Sequence, residues 1–441
     1  MTAEIVVMNR EAVALAADSA VTSTMEGGQK IFTSADKIFA LSDRYPVGIM
    51  FYNNARFMGI PWETIIKSFR SQLPKEGFAT LEDYAKCFIS FFENNRTFFG
   101  SDLQKRFMFD FVLGYFLTIK DIVENNVQSF INEHGLIDDR ETRRVVSKVI
   151  ANDLQEWMEV EPETVSSITS EVSTRITNKY KKVVREAIKE AFQELPISPK
   201  STKQLYEIVN NLLFKGSSES TSSGVVIAGF GEREVFPSLV SFIFDGVFNN
   251  TLKYSRLPQS SKVGEDTDGS IIAFAQREMV SRFMEGVDPL YLEAEQGLLS
   301  ELPKRFAQEV VSRLAKYDDS ERQVLNEQLV NSCEEIIKNI QQQMNEMRDE
   351  QFTNPITGVV SLLPKTELGR LAESLVSLTS IKRRFSLESE TVAEPIDVAV
   401  ISKGDGFIWM KRKHYFQPEL NPSFFARRYE GRVCQEHERK G

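Results

Sequence analysis

Segments that read as β-strands occur at three places in this 441-residue chain, at its start, in its middle and near its end, with long helix-forming stretches between them. A strand without a neighbour leaves buried backbone N–H and C=O groups unpaired. The distant segments are therefore expected to pair with one another. The simplest arrangement is one mixed sheet domain interrupted by two helical insertions.

The strand signals are short apolar runs. Residues 5–8 and 12–17 flank the polar turn Asn9-Arg10-Glu11 and read as a hairpin. Residues 30–33, 38–41 and 47–52 follow, and runs this apolar suggest strands covered on both faces. Strands return at 224–230 and 239–244. The chain closes with a hairpin of 396–402 and 406–411 around Lys403-Gly404-Asp405-Gly406. Between them, Pro61 opens a helix and Thr80 with Asp83 forms a capping box for the next. Residues 98–215 read as almost wholly helical. Within them 165–195 form a long amphipathic stretch free of Gly and Pro, and Ser201-Thr202 is expected to cap a helix ending at Gly216. The Ser-, Thr- and Gly-rich stretch 216–224 is a joint, 257–269 a polar loop, 270–284 a helix, 290–347 long and helical, and 367–384 a further helix. The tail after residue 416 is polar.

Composition narrows the chemistry. The three cysteines, Cys87, Cys333 and Cys434, show no CxxC spacing, which points to a reducing compartment. The three histidines, His134, His414 and His437, have no metal-ligand spacing, and a Ser-His-Asp enzyme would have few candidates for its base. The formal net charge of -10 does not favour nucleic acid. The apolar stretch 108–119 is broken by Asp110 and is too short for a bilayer, and no secretory signal opens the chain. These features place the protein in the cytoplasm as an expectation, with no metal, cofactor, nucleic-acid or membrane partner.

A different source of chemistry lies at the N-terminus. Thr2 is small, so removal of Met1 is expected, and Thr2 would then carry a hydroxyl and a free α-amine. An α-amine has a pKa of about 7.7–8.0 and serves as a base near neutrality without histidine. Thr2 begins a strand, the second strand runs into Asp18-Ser19, and Lys37 precedes the apolar run 38–41. Alone, Asp18 also reads as a turn aspartate and Lys37 as an exposed strand-edge lysine.

With these residues the sequence resembles the proteasome β-subunit and HslV family of N-terminal nucleophile (Ntn) hydrolases. The likeness lies in 2–7, 13–19, 36–39 and 47–50, in the central strand from Ser223, and in the closing hairpin, about half of the chain in three blocks. It implies an α+β, four-layer αββα sandwich with a core of 1–97, 221–287 and 357–415. The helical insertions would be 98–220 and 288–356, with 416–441 a polar tail. It implies Thr2 as nucleophile, Asp18 and Lys37 as its catalytic partners, and backbone N–H groups at Tyr52 or Asn53 as the oxyanion site, where the family has glycine. Asp268 with Ser270, and Glu390 near Ala393, fall near the family's supporting residues; Asp268 also reads as an N-cap and Glu390 as a solvated acid.

The activity so implied is cofactor-free hydrolysis of peptide amide bonds through an acyl-enzyme on Thr2. Peptide or protein is the implied substrate, in a homo-oligomer whose helical insertions could receive a regulatory partner. A non-catalytic scaffold or sensor and a small-molecule amidohydrolase are the alternatives.

Overall fold

The computed structural model describes residues 2–25, 28–161, 167–216, 222–259, 261–264, 267–314, 318–386, 392–423 and 426. Its first segment contains strands β1 (Ala3–Asn9), β2 (Ala12–Ala17), β3 (Val21–Met25), β4 (Gly28–Phe32), β5 (Ile38–Ala40), β6 (Val47–Asn53), β7 (Arg56–Phe57) and β8 (Ile60–Pro61). Helices α1 (Trp62–Gln72), α2 (Leu81–Asn94), α3 (Ser101–His134), α4 (Asp139–Glu159), α5 (Ser170–Lys179), α6 (Lys181–Ala191) and α7 (Pro199–Phe214) come next. The middle strands are β9 (Ser223–Gly229), β10 (Ser238–Phe248), β11 (Thr251–Arg256), β12 (Ser261–Lys262) and β13 (Gly269–Ala275). Helices α8 (Glu278–Glu285), α9 (Pro289–Ser312), α10 (Asp319–Arg348), α11 (Asn354–Val360) and α12 (Lys365–Arg384) precede the closing hairpin of β14 (Asp397–Ser402) and β15 (Gly406–Lys411).

The distant strands do pair, but in two antiparallel sheets and not in one mixed sheet. One antiparallel sheet has the order β13-β1-β2-β14-β15, and a second has the order β11-β10-β9-β6-β5 with β12 on β10. The β1–β2 turn is held by Asn9, whose Oδ1 accepts from the Glu11 and Ala12 N–H groups at 2.9 and 3.3 Å. Its Nδ2 donates to the carbonyls of Val360 and Leu363, joining the turn to the end of α11.

Side-chain alternation sorts β1 and β2 into two faces. Val6, Met8, Val13, Leu15 and Ala17 meet Ile38, Met50, Tyr52, Val226, Ala228 and Leu239 of the second sheet in a buried apolar layer. On the opposite face, Ala3, Ile5, Val7, Ala14 and Ala16 pack against Leu368, Ala372, Leu375 and Val376 of α12, with Val280 of α8 and Val360 of α11. The second sheet's outer face packs against α1 and α2 through Trp62, Ile66, Phe69, Phe88 and Phe92. The capping box read at Thr80 and Asp83 is present.

Helices α3–α7 bury a separate apolar cluster that includes Phe111, Phe116, Ile150, Val184, Leu205 and Ile208 and reaches the sheet at Phe248. The stretch read as one helix over 165–195 is divided between α5 and α6, because Tyr180 adopts ψ +16 and turns inward, its hydroxyl accepting from the Asn249 N–H. The cap of α7 is Ser198, not Ser201-Thr202: Pro199 fits the first helical turn, and the Ser198 hydroxyl accepts from the Ser201 N–H. The joint read at 216–224 falls largely outside the described residues, as does most of the tail.

Residues 270–284 are not the single helix expected of them. Gly269–Ala275 is a strand along the full length of β1, with helix only from Glu278. A short run such as Ser270-Ile271-Ile272-Ala273-Phe274 suits either element by periodicity; the unpaired edge of β1 decides for strand.

Tyr52 and Gly224 face each other across β6 and β9, and a Cβ at position 224 would overlap the Tyr52 ring. Overpacking of this kind costs about 1–3 kcal/mol. Gly224→Ala is expected to lower the urea midpoint accordingly; an unchanged midpoint would mean that Tyr52 is not seated over Gly224.

Candidate active site

β1 carries Thr2 and Glu4 to the end of the first sheet, with the parity of Val6 and Met8, so both side chains face the layer between the sheets. Thr2 is 3% exposed and Glu4 fully buried. The Thr2 Oγ1–H donates to Glu4 Oε2 at 2.9 Å.

Asp18 follows β2, which pairs with β1 so that Ala17 lies opposite Glu4. Its Oδ1 accepts from the Ala3 N–H at 3.0 Å, and its Oδ2 from the Ala20 and Ala393 N–H groups at 2.9 and 3.3 Å. Lys37 enters from the second sheet, immediately before β5, with its carbonyl accepting from the Phe51 N–H. Its Nζ donates to Asp18 Oδ1 at 2.5 Å and lies 3.2 Å from Glu4 Oε1. That second contact is an ion pair without an aligned hydrogen bond: among the described residues Glu4 Oε1 has no hydrogen-bond partner.

Two carboxylates thus share one ammonium in a site closed to water. Burial pushes the Glu4 carboxyl up to about 7 from its ordinary 4.5; Lys37 opposes the rise, Asp18 adds to it, and the Thr2 hydroxyl opposes it. Among the described residues no group of three or more His, Cys, Asp or Glu is arranged to hold a metal ion.

The residues singled out in the sequence fall into three groups. Thr2, Asp18 and Lys37 are brought together, joined through Glu4. Tyr52 lies in the same interior layer, its ring 5.6 Å from that of Phe274, the cross-strand neighbour of Glu4. Burial raises the Tyr52 phenol far above its ordinary range, Arg277 opposes the rise and Glu4 adds to it. Asn53 ends β6, exposed and at φ +67°.

Asp268 and Ser270 are not at the site. Ser270 pairs with Met8 and Gly269 with Asn9, at the far end of β1, about 20 Å from Ala3 at ~3.3 Å per residue. Asp268 instead forms a surface ion pair with Arg10 at 2.7 Å. The error follows from reading 270–284 as a helix: as a strand, it delivers its other end to the site. There Ala275, opposite Ala3, turns at φ +61° into Gln276, whose buried Oε1 accepts from Arg383 Nε at 2.9 Å. Glu390 lies outside the described residues, whereas Ala393 reaches Asp18.

Glu4, Gln276 and Arg277 escape the sequence reading. Glu4 had a signal, a lone charge within the apolar run Ala3-Glu4-Ile5-Val6-Val7. Gln276 and Arg277 become meaningful only once β13 is paired with β1.

No protein-family model matches the chain, and no curated protein matches it. Among solved structures, Anbu (ancestral beta-subunit) from Yersinia bercovieri matches at 9% identity with a TM-score of 0.25, over 98% of this chain and 95% of that one. A TM-score this low does not establish a common fold. No helix among the described residues is long and apolar enough to cross a membrane.

Two stability experiments follow from the charge count. Lys37→Met leaves Glu4 and Asp18 buried without their cation and is expected to cost about 3–5 kcal/mol at pH 8. Glu4 binds its proton more tightly in the folded chain. Its contribution to stability is therefore full below pH 4.5 and is lost as the pH rises through about 7. Glu4→Gln should consequently gain melting temperature relative to the wild type between pH 5 and pH 8; a constant difference would contradict the raised value.

Proposed function

We propose that the protein is a threonine-type Ntn hydrolase that cleaves peptide amide bonds through an acyl-enzyme on Thr2, exposed by removal of Met1. The observation that carries this reading is the convergence of Thr2 Oγ1, Glu4, Lys37 and Asp18 in one buried network. A threonine hydroxyl needs a nearby base and a positive charge to become a nucleophile, and a surface threonine has neither.

In this reading Thr2 Oγ attacks the carbonyl carbon, the amine departs, and water releases the acyl group. Lys37 supplies the positive charge of the network and reaches Thr2 through Glu4, while Asp18, held by three backbone N–H groups, fixes the ammonium. The resemblance assigns the base to the Thr2 α-amine. The fold is read as the αββα sandwich: α8, α11 and α12 cover the first sheet, and α1 and α2 cover the second. Its core comprises 1–97, 221–287 and 357–415, and the helical regions 98–220 and 288–356 are insertions.

One observation favours the scaffold reading. With Met1 still attached Thr2 is 3% exposed, and Tyr52 fills the space over Gly224 in the same layer, so in this form a substrate has no way in to Thr2.

Intact-mass spectrometry of the untagged protein with a threonine-directed epoxyketone, which bonds to both the hydroxyl and the α-amine, separates the two. The hydrolase is expected to lose Met1 and gain one adduct that maps to Thr2 and is absent in Thr2→Ala. Retained Met1, or an unmodified Thr2, would favour the scaffold.

A further inference from the structure

We infer that Glu4 is a catalytic base of this site, taking the Thr2 hydroxyl proton in acylation and activating water in deacylation. The inference rests on Thr2 being the nucleophile, as proposed above, and changes which group drives it. It follows from which group lies against the Thr2 hydroxyl. The hydroxyl donates to Glu4 Oε2 at 2.9 Å, a distance from which direct proton transfer proceeds. Lys37 is turned away from this duty: its Nζ is committed to Asp18 Oδ1 at 2.5 Å, and it approaches Glu4 through the other oxygen, Oε1, at 3.2 Å.

The two Glu4 oxygens thus divide the work. Oε2 faces the reacting hydroxyl, while Oε1 faces the ammonium that keeps the carboxylate accessible despite its burial. The groups facing Glu4 are Lys37 and Asp18, with the Tyr52 phenol beyond and Arg277 acting on that phenol. Glu4 titrates near neutrality, where a general base is most effective.

The protons balance without an added reactant. As Thr2 Oγ bonds to the carbonyl carbon, its proton passes to Glu4 Oε2 and the carbonyl π pair moves to oxygen. When the tetrahedral species collapses, the C–N bond breaks and the leaving amine takes the proton from Glu4. In the second half, water gives a proton to Glu4 as its oxygen bonds to the acyl carbon. The Oγ–C bond then breaks and Oγ recovers the proton. The α-amine takes no obligatory part in this cycle.

The test uses a β-lactone, which acylates the threonine hydroxyl without bonding to the amine, on the full-length protein. The adduct rate at Thr2 is read by mass spectrometry from pH 5 to pH 9. In the wild type the rate should rise with pH and reach half its limit near pH 7. Glu4→Gln keeps the shape and the hydrogen-bond acceptor but not the basicity; it should label at least ~100-fold more slowly, the scale of a lost general base. Glu4→Asp should restore part of the rate together with the pH dependence, which a purely structural role would not do. Melting temperatures at pH 8 establish that each variant is folded. A Glu4→Gln protein that labels at the wild-type rate with the same pH profile would overturn the role of Glu4 and leave Thr2 as nucleophile. A wild type that acquires no Thr2 adduct would overturn the hydrolase reading, and this inference with it.

Discussion

One buried ammonium between two buried carboxylates is the constraint around which this end of the molecule is arranged. Lys37 is 1% exposed, and Asp18 and Glu4 are equally enclosed. Removing such groups from water is costly unless each finds partners inside. Asp18 has four donors, three of them backbone N–H groups from residues far apart in the chain. Among the described residues, Glu4 has the Thr2 hydroxyl and the remaining face of Lys37. The shortage falls on Glu4, and its carboxyl holds its proton to a higher pH in consequence. The same imbalance that weakens the fold as the pH rises supplies a base beside a hydroxyl.

The sheets make this arrangement available. β1 supplies Thr2 and Glu4, the end of β2 supplies Asp18, and the second sheet supplies Lys37 across the interior layer. Ala393, just before β14, closes the circle on Asp18. Segments of the chain almost four hundred residues apart must pair before the site exists, and the Asn9 side chain ties the β1–β2 turn to the end of α11. Helices α3–α7 bury a cluster of their own and touch the sheet through Phe248, so they intervene in the chain without entering the site.

Much of this was legible from short-range pattern. The β1–β2 hairpin, the capping box at Thr80 and the closing hairpin depend on local chemistry that the residues spell out. Thr2, Asp18 and Lys37 were legible as a set through a resemblance, and the structure brings them together. What stayed hidden depends on pairing over distance. Ser270–Ala275 suits a helix or a strand until the edge of β1 claims it, and that choice moves Asp268 and Ser270 away from Thr2 while bringing Gln276 near. The break at Tyr180 comes from a hydroxyl reaching another element, which helical periodicity does not register. Glu4 is a charge in an apolar strand that the sequence reading passed over, and its place beside the site needed the register that puts Thr2 and Lys37 on its two oxygens.

The most direct measurement of the shared-cation account is a carboxyl ¹³C NMR titration of protein labelled at glutamate, with Glu4→Gln supplying the assignment. The account predicts a Glu4 transition centred near pH 7, well apart from the surface glutamates. A Glu4 carboxyl fully ionised by pH 5 would contradict it, since half of one ammonium and the Thr2 hydroxyl would then suffice to offset its burial.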